Sequence, residues 1–286
     1  MNTTIMPKVG IPLLAGPPIL SAEDIEALRL AHRRLEYPGF AARMTSRIGA
    51  PIQRFFKALP ETWHERLQTT LRASLEQTLE VAIVSLGKQR GGRGGGRLHK
   101  ALGMLSGAAG GMFGLPAVLA ELPVTSGIIL RSIADIARSQ GENLDDPETR
   151  LACMEVFALG GRSESDDSAD IGYYGIRLAL GTHLTRISER VATQGIVRLS
   201  PPGLVRFIAE IAARFGVVVT QKAALQMVPV LGAGTGSLIN LVFIEHFQEI
   251  ARAHFTMRRL ERVYGSETMR AEYEKLTRSE GMAELA

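Results

Sequence analysis

Two long stretches of this chain carry no charged residue and are striped with glycine, and any fold must find a place for both. The first runs from Ala101 to Ala120, twenty residues. Its glycines, Gly103, Gly107, Gly110, Gly111 and Gly114, fall at i, i+4, i+7, i+8 and i+11, which is one face of a helix. A glycine in a water-exposed helix interior costs about 1 kcal/mol relative to alanine, so five cost on the order of 5 kcal/mol. Such a helix persists only if something packs against the bare backbone, as happens in seams of small residues between apolar helices. Leu115-Pro116 is expected to interrupt the ladder. The second stretch, Ala223 to Ile244, has 22 residues, with Pro229 inside it and Gly232 and Gly236 repeating the seam. Both are long enough for a hydrocarbon core of ~30 Å. Ser106, Gln226, Thr235, Asn240 and the glycines dilute their hydropathy. The expectation is therefore Gly-rich apolar helical hairpins that are either a buried core or a shallow membrane insertion, not stable spans.

Helical periodicity runs through the rest of the chain, and the fold class expected is all-α. Ser21-Ala-Glu-Asp24 reads as an N-cap with an acidic first turn, opening a helix to about Glu36. Pro60-Glu61 opens another, with Leu67, Leu71, Leu75, Leu79 and Ile83 spaced by four. Asp146-Pro147-Glu148 is a further start, and helices are expected over 169–193, 203–226 and 238–263. Tyr264-Gly265 reads as a stop and Ser266-Glu267 as a last start. Val217 to Thr220 is the one β-branched run. Arg131-Ser-Ile-Ala-Asp-Ile-Ala137 and Arg206-Phe-Ile-Ala-Glu-Ile-Ala212 echo one another, each with an acid four residues after the arginine on the same helix face. The organisation expected is an extended arm over 1–20, N-terminal helices over 21–90, a basic Gly-rich loop over 91–100 and a helical core over 101–280.

Charge is distributed unevenly. Residues 1–100 hold 15 basic and 8 acidic side chains, a net +7, against −4 for 101–200 (8 and 12) and +1 for the remainder (10 and 9). The excess gathers just before the first uncharged stretch, where Lys88, Arg90, Arg93, Arg97 and Lys100 interleave with five glycines. Backbone amides and arginines of such a loop can cradle phosphate. A basic cluster abutting an apolar helix can also bind anionic lipid, at about 1 kcal/mol per cation. The plain alternative is a solvated linker. No aromatic is interleaved, so the stacking half of nucleic-acid binding is missing and nucleic acid is not the expected partner. A lone Cys153 fits a reducing compartment, and the prolines between Ile11 and Leu20 break any signal-peptide helix. The expected location is the cytoplasm, at the inner face of the membrane.

Familiar chemistry is missing. There is no Walker pattern and no Gly-x-Ser-x-Gly elbow, and Gly232-Ala-Gly234 lacks the third glycine of a dinucleotide fingerprint. Glu61-Thr-Trp-His64 stands alone where a di-iron bundle needs two such pairs, so His64 is expected near the surface. No metal and no cofactor are expected. Glu121, Arg131, Asp135 and Glu155 lie in apolar surroundings and are expected to form a buried charge network, with Glu121 at a helix break before Pro123. A carboxylate there could accept bonds from the amides opening the next helix.

Several segments resemble the EcsC family: Glu121 to Asp135, the Gly141-Glu142 turn, Pro147-Glu-Thr-Arg150, Met154 to Gly161, Gly172-Tyr-Tyr174 and His254 to Tyr264. The resemblance covers roughly residues 75–265. It implies bacterial proteins named for a member encoded beside an ABC transporter, which makes such a transporter a candidate partner, and it brings no catalytic residues. The leading expectation is a peripheral membrane or lipid-binding helical protein without catalytic chemistry. The alternatives are a soluble scaffold docking on a transporter or other protein, and a lipid-directed hydrolase using Glu121, Arg131 and Asp135.

Overall fold

The structure, a computed structural model, describes residues 19–37, 39–40, 61–85, 115–161, 172–182, 202–226 and 232–284. Among the described residues the regular elements are helices: α1 (Ala22–Glu36), α2 (Glu61–Ser85), α3 (Leu115–Ser139), α4 (Pro147–Leu159), α5 (173–182), α6 (Pro202–Gln226), α7 (Gly232–Tyr264) and α8 (Ser266–Glu284). The fold is all-α.

Local chemistry accounts for several of the helix ends. The Ser21 hydroxyl accepts from the Asp24 amide at 3.1 Å, and Glu23 and Asp24 occupy the positive end of α1. Asp146 caps α4 in the same way, accepting from the Glu148 amide at 3.0 Å, with Pro147 in the first turn where its missing N–H costs nothing. Gly265, at φ +85°, turns the chain between α7 and α8.

Two sequence expectations are corrected here. No helix break precedes Pro123, because α3 runs through it. The lost hydrogen bond and ring clash cost about 3 kcal/mol. Burial of Leu122, Ile129, Leu130 and Ile133 on the same helix offsets that cost. The stretch 223–244 is not one element either: α6 ends at Gln226 and α7 begins at Gly232, inside the glycine cluster. Of its described apolar residues, Ala223, Ala224 and Leu225 on α6 and Ile239, Val242, Phe243 and Ile244 on α7 are buried, and Leu238 and Leu241 are half-buried. Of the two roles left open for this stretch, its described residues take that of core. Among the described residues no helix is long and apolar enough to cross a membrane. Gly103, Gly107, Gly110, Gly111 and Gly114 lie outside the described residues.

The core is built around α4. Every residue from Leu151 to Leu159 is buried, Glu155 included, and the helix is contacted by α2, α3, α6 and α7. From α2 the leucine row Leu67, Leu71, Leu75 and Leu79 points inward as its spacing predicts. Phe157 of α4 meets Phe215 edge-on at 5.0 Å, and Phe243 and Phe247 of α7 complete the aromatic cluster. α7, 33 residues and so about 50 Å long, carries α1 and α8 on its outer side.

Close approach at the end of α4 requires glycine. A Cβ on Gly160 would lie 2.3 Å from the Phe247 ring, and one on Gly161 would lie 2.3 Å from the Arg214 carbonyl oxygen. A ring can turn but a helix backbone cannot, so Gly161→Ala should destabilise the protein by about 1–3 kcal/mol. Gly127, on α3, has open space where its Cβ would stand, so Gly127→Ala should be neutral or stabilising by up to about 1 kcal/mol. Urea midpoints for the two variants check the contrast. Equal shifts would show that α4 and α6 are not packed this closely.

Candidate functional site

On α7, His254, Arg258, Glu261 and Arg262 stand at i, i+4, i+7 and i+8 and share one face. Two other segments are turned to meet them. Gly141, at φ +80°, ends α3, and the Glu142 amide donates back to the Ala137 carbonyl at 3.1 Å. This delivers the Glu142 carboxylate, only 4% exposed, to the Arg258 Nε at 3.0 Å, to Arg262 and to the Thr149 hydroxyl at 3.1 Å. Burial works against the charge on Glu142, but the hydrogen bonds and charges of Arg258 and Arg262 outweigh it and hold its carboxyl below the usual range.

The second segment is α5. Gly172 lets the chain pass against Glu36 of α1, whose carboxylate accepts from the Tyr173 amide at 3.0 Å and from the Tyr273 hydroxyl at 2.8 Å. α5 then presents Tyr173, Tyr174 and Arg177. The Arg177 Nη1 donates to Glu261 at 2.6 Å and to the Tyr173 oxygen at 3.2 Å, and Tyr174 donates to the same Glu261 oxygen at 3.0 Å. The guanidinium only donates, so the Tyr173 hydroxyl accepts from it and donates its own O–H to His254 Nδ1, 3.1 Å away. That assigns the ring proton to Nε2, which faces Glu155 Oε2 at 3.5 Å.

Burial sets the protonation of this relay. It pushes the Glu155 carboxyl up to about 7 although Arg177 and Arg258 pull the other way. It holds His254 well below its ordinary value, helped by the same two arginines. Desolvation likewise raises the pKa of Tyr173.

Above the relay lies an open cleft of about 450 Å³, walled by Glu142, Glu148, Arg177, Arg258, Glu261 and Arg262. It presents cations and N–H donors held by carboxylates. Its acid–base groups, Glu155, His254 and Tyr173, are sealed beneath it. Cys153 is no nucleophile here, since burial pushes its thiol up to about 12. The fixed donors of the cleft are suited to binding an acceptor group.

The expected charge network separates into parts. Glu121 is buried, and its partner is Lys222 of α6, a residue the sequence analysis passed over. Lys222 also donates to Asn240 at 2.8 Å and stands over the Phe243 ring at 4.7 Å. Desolvation lowers the Lys222 pKa while Glu121 opposes it. The signal was there: Glu121 ends one uncharged stretch and Lys222 immediately precedes the other. Arg131, expected to be buried, is exposed, and Asp135 is half-buried with Arg138 at 2.9 Å. The echo segments therefore both turn their first arginine, Arg131 and Arg206, to the surface. Along α3, Glu121 stands about 15 Å from Arg131 and about 21 Å from Asp135, so the three do not form a catalytic set. Glu155 is buried as expected, but in the relay and not with Glu121. Gly236 is buried at the start of α7. Lys88, Arg90, Arg93, Arg97 and Lys100 lie outside the described residues. His64 is exposed, and among the described residues no group of three His, Cys, Asp or Glu could hold a metal.

This is an all-helical protein with a buried Tyr-His-Glu relay under an arginine-walled cleft. The EcsC protein family model matches residues 23–260, and the chain belongs to that family. The match takes in the N-terminal helices that the motifs left out. The Gly141-Glu142 turn, the start of α4, Gly172 to Tyr174 and the His254 to Tyr264 segment, which carry the resemblance in sequence, meet in three dimensions at or under the cleft, while Gly160 and Gly161 lie at the far end of α4 against α6 and α7. No curated protein and no solved structure matches the chain significantly.

Two measurements test the charged groups. Glu121→Gln leaves Lys222 buried without its counter-charge and should cost about 3–5 kcal/mol. Adding Lys222→Met should restore most of that loss, whereas additive losses would show that the two residues do not act as a pair. For Glu155, folded and unfolded chains are both protonated below about pH 4.5. Between 4.5 and 7 only the unfolded chain ionises, so this residue withdraws up to roughly 3 kcal/mol of stability as pH rises through that window. His254 acts in the opposite sense, withdrawing stability as pH falls below 6.5. Glu155→Gln removes the first effect alone, so its stability should gain on the parent's from pH 5 to pH 8. A constant difference across that range would place the Glu155 carboxyl near its ordinary value.

Proposed function

We propose that this protein is a non-enzymatic, peripheral membrane protein that binds anionic lipid headgroups at the inner face of the cytoplasmic membrane. Lys88, Arg90, Arg93, Arg97 and Lys100 are the contact residues. The observation that carries this reading is their placement: five cations and five glycines directly before an uncharged stretch of twenty residues. Cations near an anionic surface contribute about 1 kcal/mol each, so five reach the order of 5 kcal/mol, enough for reversible attachment. The described helices support a peripheral mode, since none is long and apolar enough to span and the described residues of the stretch 223–244 pack in the core. An ABC transporter, beside which the family's namesake is encoded, is the protein partner proposed at that face.

Flotation with vesicles of phosphatidylglycerol or phosphatidylcholine tests the reading. The parent should float with the anionic vesicles and release them as salt rises, because the screening length falls from about 10 Å at 0.1 M to about 3 Å at 1 M. Replacing Arg90, Arg93 and Arg97 with Gln should weaken binding at least tenfold, as three lost cations imply. Equal flotation with both lipids, or an unchanged triple variant at low salt, would reduce the basic stretch to a spacer.

A further inference from the structure

The cleft above the relay holds its arginines in an unusual state: each is fixed by a carboxylate, yet each keeps donors to spare. Arg258 spends Nε and Nη2 on Glu142. Arg262 spends Nη1 on Glu142 and Nη2 on the Gln140 carbonyl. Arg177 spends only Nη1, on Glu261 and Tyr173, and its guanidinium lies over the Tyr173 and Tyr174 rings at 5.3 and 5.8 Å. Among the described residues Arg258 Nη1, Arg262 Nε, and Arg177 Nε and Nη2 make no hydrogen bond. A guanidinium whose orientation is already set loses little entropy when it takes a further acceptor.

The acids of the wall are unequally engaged. Glu142 and Glu261 hold the three guanidinium groups from the inner side, and Asp146 and Glu148 bring the lining to four carboxylates around three arginines. Glu148 stands 3.9 Å from Arg258 Nη1 and is 63% exposed. That is the longest of the cleft's ion pairs and the one an incoming anion can displace. Thr149 and Asn143 add a hydroxyl and an amide to the same wall. At about 450 Å³ the space suits a small molecule or a headgroup.

We infer that this cleft is a binding site for a phosphate ester, whose oxygens take the free donors of Arg177, Arg258 and Arg262 in place of Glu148. Forked N–H donors from two helices match a tetrahedral oxyanion. The hydroxyl or amine that such an ester carries would face Glu148 and Asn143 at the rim. The site uses none of the residues 88–100 and stands independently of the membrane reading.

Calorimetric titration of the full chain with glycerol phosphate and with inorganic phosphate, against chloride at matched ionic strength, tests it. The expected result is saturable binding of glycerol phosphate at about millimolar concentration or tighter, which chloride does not reproduce. Arg262→Gln removes a half-exposed donor without stranding the buried Glu142, which keeps Arg258, and should weaken binding about tenfold. Glu148→Gln removes the competing carboxylate and should tighten binding several-fold. A structural role for these two residues would not give opposite signs. Displacement of bound glycerol phosphate by phosphatidylglycerol vesicles identifies a lipid headgroup as the source, and its retention identifies a soluble ester. Either outcome supports the site. Absence of saturable heat, an equal response to chloride, or two variants that titrate like the parent would overturn it, and flotation through Arg90, Arg93 and Arg97 would be untouched by that failure.

Discussion

A helix buried on all sides imposes its terms on the rest of this molecule. From Leu151 to Leu159, α4 has no solvent face, so α2, α3, α6 and α7 must surround it. Packing that dense has two consequences. Its C-terminal end can close against α6 and α7 only through Gly160 and Gly161, where any side chain would collide. Its midpoint carries Glu155, an acid no surface can hydrate, and the fold answers with His254, Tyr173 and the arginines beyond them. The N-terminal turn alone reaches water, and there Glu148 and Thr149 become part of the cleft wall. Core and cleft are two ends of one helix.

The buried charges divide by what surrounds them. Glu121 and Lys222 meet in apolar packing, with Asn240 as a third member and no opening to solvent. Their attraction does little more than repay the desolvation of both, so the pair specifies which faces of α3, α6 and α7 meet more than it stabilises them. The arginines of the cleft are different. They are partly exposed, arranged by carboxylates that are themselves buried, and supported from below by aromatic rings. Rigid donors at a concave surface are what recognition requires.

Helix starts, stops and faces were legible in the chain because they depend on neighbours a few residues away. Ser21, Asp146 and Pro147 act within one turn, and the leucine row of α2 declares its buried face by spacing alone. The all-α class and the family followed from such local signals. The Pro123 expectation went wrong because a local rule about proline was set against long-range burial, and burial was larger.

Charge partnership was not legible. Lys222 lies 101 residues from Glu121, and Arg177 lies 84 residues from Glu261. Nothing in composition or period says which cation will neutralise which acid, because that depends on which helix faces the packing brings together. The sequence by itself determined the capped helix ends at Ser21, Asp146 and Gly265, the apolar face of α2, and that five cations precede an uncharged stretch. Tertiary structure alone decided that the described residues of the stretch 223–244 became core, that Arg131 stayed outside, and that Tyr173, His254 and Glu155 met beneath a cleft. The reason is one of range: hydrogen bonds and side-chain spacing within a turn are written consecutively, while desolvation is set only when the last neighbour has closed over a group.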